Sequence, residues 1–407
     1  MSSYDKDLSE IVAQLNRAAP SGKTGSAPSD KTGSPPPPAI GQPALLQASA
    51  AYAPSGDLAS LDSLLSQAIR RGASDVLIIA GAPVTFRVGG SLAPAAGGAI
   101  SAEEARQLLL PLLSPAQTQD LQRNKSADLS FNREGIGRFR ANIHYQRGTP
   151  AGSLRLLPEK VPTLESLRLP PNLRRLAEAR QGLVLITGPT GSGKSSTLAA
   201  LVDLINTSRR DHVVTIEDPI EFVHSNRNSI IEQIEVGSDA PNFAGSLRSI
   251  LRQNPDVILV GEMRDCETIS MVLTAAETGH LVLSTLHTND TSQAISRILD
   301  AFPLGNQPQI RQQLSLALLA VVAQQLVPSV TGDSRYPAVE ILMATSGVRG
   351  LIRKGEDHQI YSALSTGRAE GMVTMEQSLA ELVRSARISR ETAIAHCFRP
   401  EDLTRYL

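Results

Sequence analysis

The chain has 407 residues, enough for two or three domains, and its 39 basic and 40 acidic side chains leave a net charge of −1. That balance supplies no bulk field toward nucleic acid or anionic lipid. Two cysteines, Cys266 and Cys397, exclude a disulfide framework and a four-cysteine zinc site, and both read as small buried or half-buried thiols. No basic-then-apolar segment opens the chain, and no apolar run approaches the roughly 18 residues of a membrane span, so the expectation is a soluble, cytoplasmic protein.

In chain order, Leu8, Ile11, Val12 and Leu15 mark a short amphipathic helix. Residues 19–57 are rich in Pro, Gly, Ser and Ala, carry Lys-Thr-Gly-Ser twice, and cannot bury enough apolar surface to offset their ordering entropy. Residues 1–57 therefore read as a disordered extension with a short amphipathic helix over 5–18. Leu58, Leu61, Leu64, Leu65, Ala68 and Ile69 then form a helical stripe ending at Gly72. Strands are expected over 75–80 and 84–88, and Ser101 with Glu104 makes a capping box opening a helix through Leu110. Ser114-Pro115 opens another helix. In the run Arg138–Tyr145, Arg138, Arg140, Asn142 and His144 share one face of a strand, and Phe139, Ala141, Ile143 and Tyr145 share the other. A further strand over 152–157 carries Arg155. These elements define a small α+β domain over 58–158, and the prolines that follow define a hinge linker over 159–171.

From 172 to 407 the pattern becomes apolar strands alternating with helices, which predicts a parallel α/β sheet. Strands are expected at 183–187, 212–216, 256–260 and 280–285. The run Leu314–Val327 reads as a buried helix, within a helical region from about 307 that is interrupted by a strand at 337–342.

The most informative stretch is Gly188-Pro189-Thr190-Gly191-Ser192-Gly193-Lys194-Ser195, which fits G-x-x-x-x-G-K-[ST]. An apolar strand precedes it and a helix with Leu198, Leu201, Val202 and Ile205 in register follows it. Backbone N–H groups of the loop and the helix N-terminus, through Ser196, then converge on one anion. In such a loop Lys194 reaches the β/γ-phosphates of ATP and Ser195 holds Mg²⁺. Three more apolar strands end in chemistry. The first ends in Glu217-Asp218-Pro219-Ile220-Glu221, the second in Gly261-Glu262, and the third in His287. Catalytic groups of open α/β sheets sit at such carboxyl ends. The acid after the 256–260 strand supports Mg²⁺ in P-loop proteins; here it is Glu262, which could act through water or serve as the base.

The loop, Thr215–Glu221, Leu251–Asp265 and Thr278–Asn289 resemble, in order, the Walker A, Asp box, Walker B and His box of the type II/IV secretion ATPases. The resemblance covers roughly 58–395. Within that superfamily, Ser346-Gly-Val-Arg-Gly-Leu-Ile-Arg353 and Gly371–Leu379 look like the C-terminal signature of the PilT-type pilus retraction ATPases, with Gly347, Gly350 and Lys354 departing from it. The resemblance implies a RecA-like core, a PAS-like N-terminal α+β domain, a helical C-terminal region and a ring of six chains. It implies an ATP-hydrolysing motor of pilus retraction and twitching. A secretion or pilus-assembly motor and a low-turnover accessory paralogue are the alternative readings. It further implies that Glu217 positions or deprotonates the attacking water and Glu262 holds Mg²⁺ through water, roles the two could exchange, while His287 reads the γ-phosphate. Arg140, Arg147 and Arg155 are the matching arginine-finger candidates. The implied partners are five further copies and a PilC-like inner-membrane platform protein meeting residues 346–353. Association with the inner face of the cytoplasmic membrane would be peripheral, and no nucleic acid is involved.

Overall fold

The fold comes from a computed structural model of the chain, which describes residues 60–407. The expected 5–18 helix and the extension up to residue 57 lie outside the described residues, as does Leu58. Helix α1 (Leu61–Arg70) starts where the Ser60 hydroxyl accepts the Ser63 N–H, and it buries Leu64, Leu65 and Ala68. Six antiparallel strands follow: β1 (Ala73–Ile79), β2 (Thr85–Val88), β3 (Ser91–Pro94), β4 (Ser126–Arg133), β5 (Gly137–Gln146) and β6 (Thr149–Leu156). Their order across the sheet is β3-β2-β1-β6-β5-β4. Helices α2 (Ala102–Leu109) and α3 (Pro115–Asn124) intervene, each opened by a capping box, Ser101 with Glu104 and Ser114 with Gln117. Phe86, Phe139, Ile143 and Leu154 pack with Leu65 and Leu109 into one core. Alternation along β5 puts Phe139, Ala141 and Ile143 in that core and leaves Arg140 exposed on the opposite face; Tyr145 lies past the core's edge and is exposed. Strands β3 and β4, which are short or weakly patterned, are additions to the sequence reading.

The second sheet has the order β13-β12-β7-β11-β10-β8-β9. Its strands are β7 (Gly182–Thr187), β8 (His212–Glu217), β9 (Ile230–Glu235), β10 (Val257–Val260), β11 (Leu281–Leu286), β12 (Leu318–Pro328) and β13 (Arg335–Met343). All neighbours run parallel except β13, which is antiparallel to β12. Its central strands are apolar on both faces because both faces are covered. Val184 and Ile186 point to α5 (Lys194–Ser208), in a layer that also holds Leu173 and Leu176, next to and within α4 (Arg174–Glu178). Leu164 and Leu169, from the proline-rich segment, are buried in the same layer. Leu183 and Leu185 face the opposite layer. That layer is built from α6 (Phe243–Ile250), α7 (Cys266–Glu277), α8 (Thr291–Asp300), α9 (Gln307–Ala317), α10 (Ser346–Lys354) and α11 (Ile360–Thr366). Helices α12 (Met375–Arg384), α13 (Arg390–His396) and α14 (Pro400–Tyr406) close a smaller core on Val327 and Ala338. No helix among the described residues is long and apolar enough to cross a membrane.

Two expectations are corrected. The run Leu314–Val327 is not a helix: α9 stops at Ala317, and Leu318–Pro328 is a strand inserted between β7 and β13. A short apolar run has no period that distinguishes buried helix from buried strand. Here the β-branched Val321-Val322 pair and the free edge of β7 select the strand, and both of its edges are paired. The second correction concerns Cys266, which is exposed; it occupies the first position of α7, ahead of the buried face that begins at Thr268 and Ile269. Cys397 is half-buried, as expected.

Leu154, fully buried at the centre of the first core, should cost about 2–5 kcal/mol when replaced by Ala. Leu92, 56% exposed on β3, should cost less than about 0.5 kcal/mol for the same change. Chemical denaturation of both variants checks the assignment of the core.

Candidate nucleotide-binding site

The loop between β7 and α5 has a shape that only glycines supply at its corners. Gly188 and Gly193 have φ of +145° and +89°, and a Cβ at Gly188 would come within 2.1 Å of the Gln324 carbonyl oxygen. Gly193 is the N-cap of α5 and offers no side-chain cap, so the first N–H groups of the helix keep their donors for something else. The Ser192 hydroxyl is buried without a partner among the described residues. Lys194 is buried, and its ammonium donates to the loop carbonyls of Gly188 (2.9 Å) and Pro189 (3.1 Å). Burial lowers its pKa, opposed by the carboxylate of Glu221. Uncapped amides, an idle hydroxyl and a buried cation in one loop fit an anionic ligand such as a nucleotide phosphate.

The neighbouring strands bring the other groups to this loop. Thr187, the last residue of β7, is tied to the end of β11: its hydroxyl lies 2.7 Å from the Thr288 carbonyl and accepts the Thr288 N–H at 2.9 Å. His287 is thereby held beside the loop. Its Nε2 lies 3.1 Å from Glu262 Oε2, and Arg264 forms an ion pair with the same carboxylate. Burial, with the charges of Lys194 and Arg264, lowers the His287 pKa and favours the neutral imidazole. Glu217 closes β8. Burial raises its pKa, although Thr215 (2.7 Å) and Gln233 (3.1 Å) hydrogen-bond its Oε1, and the nearby Glu221 raises it further. Lys194, Glu217, Glu221, Glu262 and His287 therefore form one electrostatically connected group.

The arginines separate. Arg140 and Arg155 are register partners across β5 and β6, and Asp75 is the partner of Arg155 on β1, so all three share the polar face of the first sheet. Arg155 Nε is 2.9 Å from Asp75 Oδ1, with Arg87 on the other oxygen at 3.5 Å. Against the upward pull of burial, Ser74 and Arg155 hold the Asp75 carboxyl below its ordinary pKa. Arg147 lies in the β5–β6 turn at φ +49°. Among the described residues, neither the Arg140 nor the Arg147 side chain has an ion-pair or hydrogen-bond partner, and none of the three is bonded to Lys194, Glu217, Glu262 or His287.

Three residues of the site were not singled out in the sequence, among them Gln233 on β9, which donates to Glu217. Gln324 lies under the loop because β12 runs beside β7, a placement hidden by reading that run as a helix. Glu235 ends β9, next to Glu217 in register. It accepts the Ile220 N–H (3.0 Å) and the Ser130 hydroxyl (2.5 Å), with Arg138 3.9 Å away. The polar face of β4 and β5 thus meets the acid-bearing loop after β8. The C-terminal signature also divides: Arg349 turns inward onto the carbonyls of Ala344, Ser315 and Leu316, while Arg353 and Lys354 are exposed.

A phosphate-type loop at the centre of a parallel sheet, flanked by acids and a histidine at strand ends, defines a P-loop nucleotide-binding protein. The chain belongs to the type II/IV secretion system protein family, whose model matches residues 57–399. It is 41% identical over 342 residues to the type IV pilus retraction ATPase PilT of Pseudomonas aeruginosa, covering 84% of this chain and 99% of that one. It is 40% identical over 342 residues to the type IV pilus ATPase PilU of the same organism, covering 84% of this chain and 90% of that one. Among solved structures, the pilus retraction motor PilT with bound ADP superposes with a TM-score of 0.80 at 41% identity, covering 86% of this chain and all of that one. The Legionella pneumophila ATPase DotB superposes with a TM-score of 0.70 at 31% identity, covering 82% and 94%.

His224 follows the acid-bearing loop. Burial lowers its pKa to about 4, with Arg227 adding to the effect and Asp203 opposing it. An unfolded chain binds the proton near pH 6.5 and the folded one near 4, so stability is intact above 6.5 and falls as pH drops through that window. The loss should reach about 3 kcal/mol by pH 4. Urea denaturation at pH 7 and pH 4 should show the parent losing more than His224→Gln by about that amount.

Proposed function

We propose that the chain is an ATP-hydrolysing motor of the type IV pilus machinery that drives pilus retraction. The observation that carries the proposal is the joining of Lys194, Glu217, Glu262 and His287 around one phosphate loop, in a chain 41% identical to a retraction ATPase over 99% of that protein's length. The loop residues Gly188–Ser196, with the uncapped amides at the start of α5 and the Lys194 ammonium, would bind the phosphates of ATP. Ser195 and Glu262, the latter through water, would hold Mg²⁺, which neutralises β/γ charge. Glu217, whose raised pKa improves its affinity for a proton, positions or deprotonates the attacking water; Thr215 and Gln233 keep its carboxylate oriented. Neutral His287, fixed through Thr187 and Thr288 and hydrogen-bonded to Glu262, lies where it can sense the γ-phosphate.

An arginine completes the charge stabilisation. Arg140 is our first choice, because it sits unpaired on the face of the first sheet that meets Glu235. Arg155 is committed to Asp75 and fits an anchoring role, and Arg147 lies in the β5–β6 turn. Residues 58–158 act as the PAS-like domain that carries these arginines. The segment 159–171 serves as the hinge, anchored by Leu164 and Leu169. Six chains form the working ring at the inner face of the cytoplasmic membrane, and the exposed Arg353 and Lys354 contact a PilC-like platform protein. The departures from the retraction signature at Gly347, Gly350 and Lys354 favour a second reading, an accessory pilus ATPase with low turnover of its own.

Lys194→Ala should abolish phosphate release while leaving the circular dichroism spectrum unchanged. Arg140→Ala should lower kcat on the order of 10³-fold with ATP affinity near the parent's. Parent-like turnover by either purified variant would overturn its assignment. Restoration of twitching by this gene in a strain lacking its retraction motor separates the main motor from the accessory reading.

A further inference from the structure

We propose that Gln324 is a positioning residue for the phosphate loop, holding it in its nucleotide-receiving shape from the β12 side. This rests on the loop being an ATP site. Strand β12 pairs with β7 in parallel, with Ala323 opposite Thr187, so the next positions along are Gln324 and Gly188. Gln324 is only 4% exposed. Its Nε2 donates to the Ser192 carbonyl at 2.7 Å, and its Oε1 accepts the Thr197 hydroxyl at 2.8 Å. Ser192 belongs to the loop and Thr197 to the first turn of α5, so one amide group spans the junction between them.

The same residue dictates where glycine is required. Its backbone carbonyl fills the place of a Cβ at Gly188, and its Nε2 lies 2.9 Å from the position of a Cβ at Gly193. On the other side of β7, Thr187 is tied to Thr288. The loop is therefore held from both neighbouring strands, and its glycine-rich backbone does not have to be ordered by the ligand. The task needs a donor and an acceptor at the end of a side chain of this length. Methionine has the length without the hydrogen bonds, and glutamate lacks the donor. The adjacent Gln325 is directed elsewhere: its Nε2 donates to the His396 carbonyl at 2.9 Å, in the C-terminal helices. Neighbouring glutamines thus provide an internal control.

The test is ATP affinity by calorimetry on the full chain for the parent, Gln324→Met, Gln325→Met, Thr197→Val and the double variant Gln324→Met/Thr197→Val. Removing one partner from a buried hydrogen bond predicts a 10- to 100-fold loss of affinity in Gln324→Met. KM should rise while kcat at saturating ATP is largely kept. Gln325→Met should bind as the parent does. Thr197→Val should lose less than Gln324→Met, and the double variant should be no weaker than Gln324→Met, because both act through one amide. Parent-like affinity in Gln324→Met would overturn the proposal and leave the ATP site standing, as would fully additive losses in the double variant. Failure of the parent itself to bind ATP would instead overturn the site. Should Gln324→Met not fold, Thr197→Val decides: unchanged affinity overturns the proposal and a severalfold loss supports it.

Discussion

A loop with positive-φ glycines at Gly188, Gly191 and Gly193 has little structure of its own. It keeps one shape because β7 is locked between β11 and β12, with Thr187 reaching one way and Gln324 the other. Everything else at the site depends on that arrangement. The amides left free at the start of α5 aim at one point only while Gly193 stays in place, and Lys194 is buried against the same loop. The parallel sheet then adds chemistry by repetition: each strand ends at the same level, so Glu217, Glu262 and His287 arrive on one rim without any long-range design in the sequence.

The electrostatics of that rim push the groups in useful directions. Desolvation raises Glu217, lowers Lys194 and lowers His287, each toward its neutral form. A bound polyanion would reverse the balance for Lys194, while Glu217 would become still more willing to hold a proton. The first sheet contributes from outside. A cross-strand row runs Arg87, Asp75, Arg155, Arg140 and Ser130 to Glu235, which also holds the loop after β8 through Ile220. The N-terminal sheet is thus tied to the loop that carries Glu217 and Glu221.

What could be read from the sequence was what is local. The phosphate loop, the strand-end acids and His287 are each a short motif at the end of an apolar run, and the alternation along β5 separated Arg140 from Phe139 by spacing alone. The capping box at Ser101 and the helix start at Ser114 were equally local. What escaped was set by tertiary pairing. Strand β12 looks like a helix until β7 offers it an edge. Gln324 therefore could not be placed under the loop. Strand β9 is a polar edge with Ile230 56% exposed, so it has no apolar run to betray it. The partner of Arg155 lies 80 residues away in Asp75, and Arg349 turns back onto a helix end about 33 residues earlier.

A retraction motor must turn over ATP at this site. The most direct measurement is steady-state phosphate release from ATP by the purified full chain, with and without Mg²⁺. The expected result is saturable release that is lost when Mg²⁺ is chelated. Tight ATP binding without phosphate release, in the presence of Mg²⁺, would contradict it.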